Sequence, residues 1–227
     1  MQGTRLSDQR LVAVVAPQAE PAIAVQADNM YGARNTYVLW AHDQAALPLG
    51  SSRELTLARK STFGSWEGPY RLTNDDRDDW GAQLAVTPSG GLLAVWQRMD
   101  TATPPDINAD PKGYLSHMQI AAGRVGLGNS PSVTPLQLSG GGLSYRPQLA
   151  ATSTGGLAVW INNPGNQIGG DAASPDTLMF SRYTESGSSG SWSAAAQVLP
   201  PMAGLVDYQL ATNGAHAATP ARAGRSA

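Results

Sequence analysis

The chain has 227 residues, enough for one β domain with a sizeable core. Only 14% of them are charged, whereas Gly (25) and Pro (16) are plentiful, which favours short strands joined by turns over helices. A net charge of −2 offers no field for attracting nucleic acid or an anionic membrane, and the lack of cysteine excludes disulfides and thiolate metal sites.

Residues 1–10 are polar and are expected to be flexible. The apolar run Leu11–Ala16, preceded by Arg5 and Arg10, is far too short to insert through a bilayer and short for a signal-peptide core, so no export signal is visible. It reads as a strand. Leu11–Val15 takes the place that a strand holds just before each later repeat, as the last strand of a preceding, mostly absent unit.

The segment Gln83–Trp96, QLAVTPSGGLLAVW, returns at Gln148–Trp160 as QLAATSTGGLAVW. A looser copy, AIAV…TYVLW, spans Ala22–Trp40, and a broken one, YQLATNG, spans Tyr208–Gly214. Ile23, Leu84, Leu149 and Leu210 are then equivalent, with a period of about sixty residues that marks a repeat architecture. Repeats run over about 21–73, 80–139 and 145–200, and each holds four strand-like pieces bounded by Gly, Ser, Asn and Pro. The first piece carries Ala24, Ala85 or Ala150, and the second is almost wholly apolar and ends in Trp40, Trp96 or Trp160. The third is Leu55–Arg59, Tyr114–Ile120 or Thr177–Arg182, and the fourth is Trp66–Leu72, Val133–Leu138 or Trp192–Leu199. The Gly-Gly turns between the first two pieces supply the positive φ of a tight hairpin. Four strands per repeat predict an all-β fold, a β-propeller of three four-stranded blades with flanking single strands and an incomplete ring. Small residues on the first strand suit a crowded central channel, and a second strand enclosed on both faces is apolar throughout.

The pattern PQLA…GG.LAVW…L.FSR…G.W resembles the bacterial repeats of the sialidase-like (BNR-like) propeller superfamily over about residues 20–212. The resemblance implies a secreted or cell-surface protein. It does not imply one function, because such propellers include hydrolases, lectins and scaffolds. The superfamily's Ser-x-Asp-x-Gly-x-x-Trp box is absent. Its remnants, Gly64-Ser65-Trp66 and Gly190-Ser191-Trp192, lack the aspartate, which counts against sialidase chemistry. After Gly214 an Ala-rich polar tail over 213–227 is expected to be disordered. The chain then begins and ends on open edges, which further blades or a second chain would complete.

In a four-stranded meander, the connections from second to third strand and from fourth to the next first strand share one face. The second-to-third connections, His42–Arg53, Arg98–Gly113 and Asn162–Asp176, are long, and irregular loops gathered on a rigid scaffold are where binding concentrates. His42, Asp43, Gln97, Arg98, Asn162 and Asn163 follow the strand-ending tryptophans and are the candidate ligand-binding residues, against the alternative of ordinary solvated loop starts. Trp80 stands outside the repeat frame and is a further ligand candidate, while the other tryptophans read as packing residues. Asp75, Asp76, Asp78 and Asp79 form either a solvated charge run or an oxygen-rich Ca2+ site; no other cofactor is indicated. Asp106, Asn108 and Asp110 have the spacing that opens a calcium loop, but Pro111 and His117 stand where Gly and Glu are needed. His42, His117 and His216 have neither metal nor triad spacing. The expected function is non-catalytic recognition of a glycan or protein through the long-loop face. The alternative is a fragment of an exo-sialidase-type glycoside hydrolase.

Overall fold

The computed structural model of the chain describes residues 20–27, 34–43 and 53–223. The expected N-terminal flexible segment and the expected strand at Leu11–Val15 lie outside them. The described residues are all-β, arranged as successive antiparallel meanders. The first sheet is β1 (Ala22–Ala27), β2 (Arg34–Asp43), β3 (Arg53–Ser61) and β4 (Trp66–Arg71), in that order. The second is β5 (Asp79–Val86), β6 (Leu92–Met99), β7 (Met118–Val125) and β8 (Leu136–Gln137), with a short helix α1 (Pro111–Ser116) before β7. The third is β9 (Leu143–Thr152), β10 (Gly155–Asn163), β11 (Thr177–Ser186) and β12 (Ser189–Trp192), and β13 (Ala196–Gln197) also pairs with β11.

The repeat in the sequence is a repeat in register. Ile23 faces Val38, Leu84 faces Ala94 and Leu149 faces Ala158, each partner lying two residues before the strand-ending tryptophan. The second and third sheets also share a bulge between their first two strands, at Trp80–Gln83 and at Tyr145–Gln148. Its left-handed residue is Gly81 (φ 60°) in one and Arg146 (φ 53°) in the other. An L residue there pays about 1 kcal/mol or more in steric strain.

Alternation along the central strands packs one sheet on the next. Leu92, Ala94 and Trp96 of β6 meet Tyr37, Leu39, Leu55 and Leu57 of the first sheet. Val95, with Ile120 and Ala122 of β7, meets Ala158 and Trp160 of β10. Leu157, Val159 and Ile161 turn to the far side of the third sheet. Every residue of β6 is buried: Leu92–Trp96, covered on both faces, is apolar throughout, and Gln97 and Arg98, expected as loop starts, lie on the same strand with their polar groups hydrogen-bonded.

Beyond the third sheet, β14 (Leu205–Tyr208) pairs with β17 (Ala221–Ala223), and β15 (Ala211–Thr212) with β16 (Ala217–Ala218). Leu205 and Tyr208 are buried against β10, and the Tyr208 hydroxyl donates to Val159 O at 2.8 Å. The side chain of Gln148 clasps the same segment, donating to Tyr208 O at 2.8 Å and accepting from Leu210 N at 2.6 Å. Within the tail expected from residue 213, residues 217–218 and 221–223 are described as short paired strands. Backbone pairing there needs no apolar side chains, so the hydrophobic pattern did not announce it.

Two further boundaries differ from expectation. Tyr114–Ser116 are helical rather than strand, because Asp110 caps α1 by accepting from Gly113 N at 2.8 Å and Pro111 suits its first turn. The fourth strand of the second sheet shrinks to Leu136–Gln137, since Pro135 cannot donate to the ladder.

Candidate functional site

The site follows from the meander: the connections that leave the tryptophan end of each central strand meet the connections that lead into the next sheet. The linker between β4 and β5 carries the acidic run. Asp78, wholly buried, accepts from Arg53 N at 2.8 Å and from Arg53 Nε at 2.9 and 3.0 Å, and it pairs with Arg53 Nη2. Asp79 lies on β5 rather than in the loop and is also wholly buried. It accepts from Trp96 Nε1 at 2.7 Å and from Arg98 Nη1 at 2.8 and 2.9 Å. Asp75 pairs with Arg98 Nη2, and its backbone N–H donates to Glu54 Oε1 at 2.9 Å. Asp76 is exposed. The four aspartates thus have three different environments, not one solvated run. The two buried ones have their oxygens taken by guanidinium and indole N–H groups, and no group of three or more metal-ligating acidic or histidine side chains stands together among the described residues.

Burial pushes the Asp79 carboxyl up to about 7, against the pull of Arg98 and the Trp96 indole. Burial likewise raises Glu54, partly offset by the Thr73 hydroxyl and Asp75 N–H. A buried pair of this kind contributes little net stability, but removing one member costs about 3–5 kcal/mol.

The third sheet carries a neutral counterpart. Ser144 faces Asn162 in the register of Asp79 and Arg98, and Asn162 Nδ2 donates to Ser144 Oγ at 3.1 Å and to Leu143 O at 3.2 Å. Trp160 Nε1 consequently has no hydrogen-bond partner, where Trp96 has Asp79.

Asn163 is the hub of the loop 164–176. Wholly buried, it donates to Ser174 O at 2.9 Å and Asp176 Oδ1 at 3.0 Å. Its oxygen accepts from Gly165 N, Ser174 Oγ and Gln167 N at 2.9 to 3.2 Å. Asp176, also wholly buried, receives Gly170 N at 2.8 Å, and Gly170 has no room for a side chain, as a Cβ would stand 2.4 Å from Ser174 O. Gln97 ties two sheets together, its side-chain oxygen accepting from Arg146 N at 3.2 Å.

Of the residues singled out from sequence, Arg98, Gln97, Asn162 and Asn163 therefore bond inward to backbone and neighbouring side chains. Half-buried Trp80 has the Arg53 guanidinium 4.4 Å above its ring. His42 and Asp43, both half-buried, end β2 opposite Glu54 and Arg53. The 106–110 stretch uses its acids as local caps: Asp106 accepts from Asn108 N at 2.9 Å, and Asp110 caps α1. Sequence reasoning missed the partnership of Asp100 with His117 Nδ1 (2.7 Å) at the base of the longest described loop, and it missed Arg53 and Asp176. The signal for Arg53 and Asp176 was their place opposite the loop-start residues Asp43 and Asn162–Asn163; the partnerships themselves are tertiary.

The class this defines is an all-β chain of stacked four-stranded antiparallel meanders with interlocked loops on one face. Among known proteins, no family model and no curated sequence matches it.

Proposed function

We propose that the meanders are blades of an incomplete sialidase-like β-propeller, and that the protein is a non-catalytic recognition module acting at or outside the cell surface. Its long-loop face binds a glycan or a protein partner. One observation carries this reading: the loops of that face are held by three wholly buried carboxyl groups, Asp79 with Arg98, Asp78 with the half-buried Arg53, and Asp176 with Asn163. Burying such groups is costly, and a fold gains from it chiefly when loop shape must be preorganised. The surface groups of these connections include Asp76 and the partly exposed Asp75, Asp100 and His117. The hydrolase alternative needs arginines directed at a ligand, whereas Arg53 and Arg98 are each matched by carboxylates.

The test is a glycan array and a panel of purified surface proteins, probed with the wild-type chain and with a variant carrying Asp76→Ala, Asp100→Ala and His117→Ala. The expected result is a saturable ligand that the variant loses while keeping its thermal midpoint. Absence of any ligand, or one bound equally by the variant, would refute the proposal.

A further inference from the structure

On the face opposite the long loops, two grooves meet at the hairpin turn that holds Gly90 and Gly91. One, of about 400 Å3, lies between the first two sheets and has Tyr37 and Lys60 on its walls. The other, of about 320 Å3, is lined by Gly91 and Arg124. Gly90 and Leu127 line both, so the two form one trough.

Of its cations, Arg59 is held by Glu67 and Leu127 O, and Arg124 acts on Glu185 only through its charge. Neither Lys60 nor Arg124 takes part in an ion pair among the described residues. Arg124 Nη1 is enclosed without a hydrogen-bond partner, a state that costs free energy until a partner is supplied. The nearby carboxylates are already committed. Glu185 accepts from Thr87 Oγ1 and Ser89 Oγ, both at 2.6 Å, and Glu67 accepts from Arg59 Nε at 2.7 Å. Gly91 keeps space for the guanidinium. It has no positive φ to demand glycine, yet a Cβ there would stand 2.8 Å from Arg124 Nη2.

We propose that this trough is a second binding site, for a small polyhydroxylated oxyanion, with Arg124 turning its partnerless nitrogen onto the ligand's carboxylate or phosphate. A guanidinium fork matches either oxyanion. Lys60 adds a second positive charge, and the hydroxyl of Tyr37 with the amide of Gln26 suits the ligand's hydroxyls. The trough is large enough for one sugar-sized molecule. The proposal is independent of the long-loop reading, since it concerns the other face.

The test is an NMR titration of the full chain with glucuronate and with glucose 6-phosphate, using glucose as the neutral control. Gly90 and Gly91 amide signals are expected to shift with one or both anions and not with glucose. A response to one anion alone identifies the oxyanion as carboxylate or phosphate. Arg124→Gln and Gly91→Ala should each weaken binding about tenfold or more, the loss of a charge-assisted hydrogen bond. The proposal is overturned if neither anion shifts these signals at about 10 mM, if glucose shifts them equally, or if binding survives either substitution. Should Arg124→Gln fail to fold, Lys60→Gln decides: unchanged affinity overturns the site, and weakened affinity supports it.

Discussion

Replacing Asp79 by Ser and Arg98 by Asn transplants the third sheet's neutral pair into the second sheet. The two single changes are unequal to the double one. Asp79→Ser leaves Arg98, whose side chain is only 10% exposed, with Asp75 alone, and it strips Trp96 Nε1 of its acceptor. Arg98→Asn leaves a wholly buried carboxyl with the indole as its remaining short contact of those described above. Above pH about 7, where Asp79 is ionised, each single change should cost about 3–5 kcal/mol, the penalty for breaking a buried pair from one side. The double variant retains a neutral hydrogen bond of the Asn162–Ser144 kind, and the uncompensated charge is gone. It should cost about 1–3 kcal/mol, with a coupling energy of at least about 2 kcal/mol. Urea unfolding followed by tryptophan fluorescence measures all four corners of the cycle, with the denaturant slope checked for constancy. Single-variant losses below about 1 kcal/mol, or simple additivity, would refute the account of the lock.

Arg146→Gly relieves the left-handed strain and retains the backbone donor to Gln97, while the exposed pair with Asp207 at 3.6 Å contributes little. Stability should rise by about 0.5–1 kcal/mol in the same urea assay, and a loss would count against strain at that bulge. A carboxyl raised to about 7 by folding binds its proton more tightly in the folded state, so its contribution is complete below the ordinary carboxylate range and is lost as pH rises toward 7. Wild type should therefore lose stability relative to Asp79→Asn between pH about 4 and about 7; a parallel pH profile for the two would show that Asp79 stays ionised. Asn163→Ala removes the hub of loop 164–176 and should cost about 2–4 kcal/mol and open that loop to limited proteolysis, read by mass spectrometry of the cleavage sites. Cleavage confined to other loops would deny Asn163 that role.

Much of the architecture was legible in the residue pattern. The Gly-Gly turns, the apolar run of each second strand and the tryptophan that closes that run gave period and strand order, because a strand segment enclosed on both faces is apolar. The three strand residues beyond each tryptophan, Gln97 and Arg98 or Asn162 and Asn163 among them, read as loop in the sequence. Local chemistry also explains the departures. A capped turn at Asp110–Gly113 made a helix where a strand was expected, and Pro135 shortened β8.

The loop face was legible as a place but not as a set of contacts. Asp75, Asp78 and Asp79 stand together in sequence among neighbours that suggest solvent. Asp75 and Asp79 meet Arg98 and Asp78 meets Arg53 only because linker, third strand and next sheet converge, so burial and pairing replaced solvation. The same holds for Asn163, a polar loop start in sequence and the wholly buried centre of a hydrogen-bond network in the fold. Hydrophobic period is a property of one strand and survives in the sequence. Which polar groups share a site depends on distances between strands, and only packing sets those.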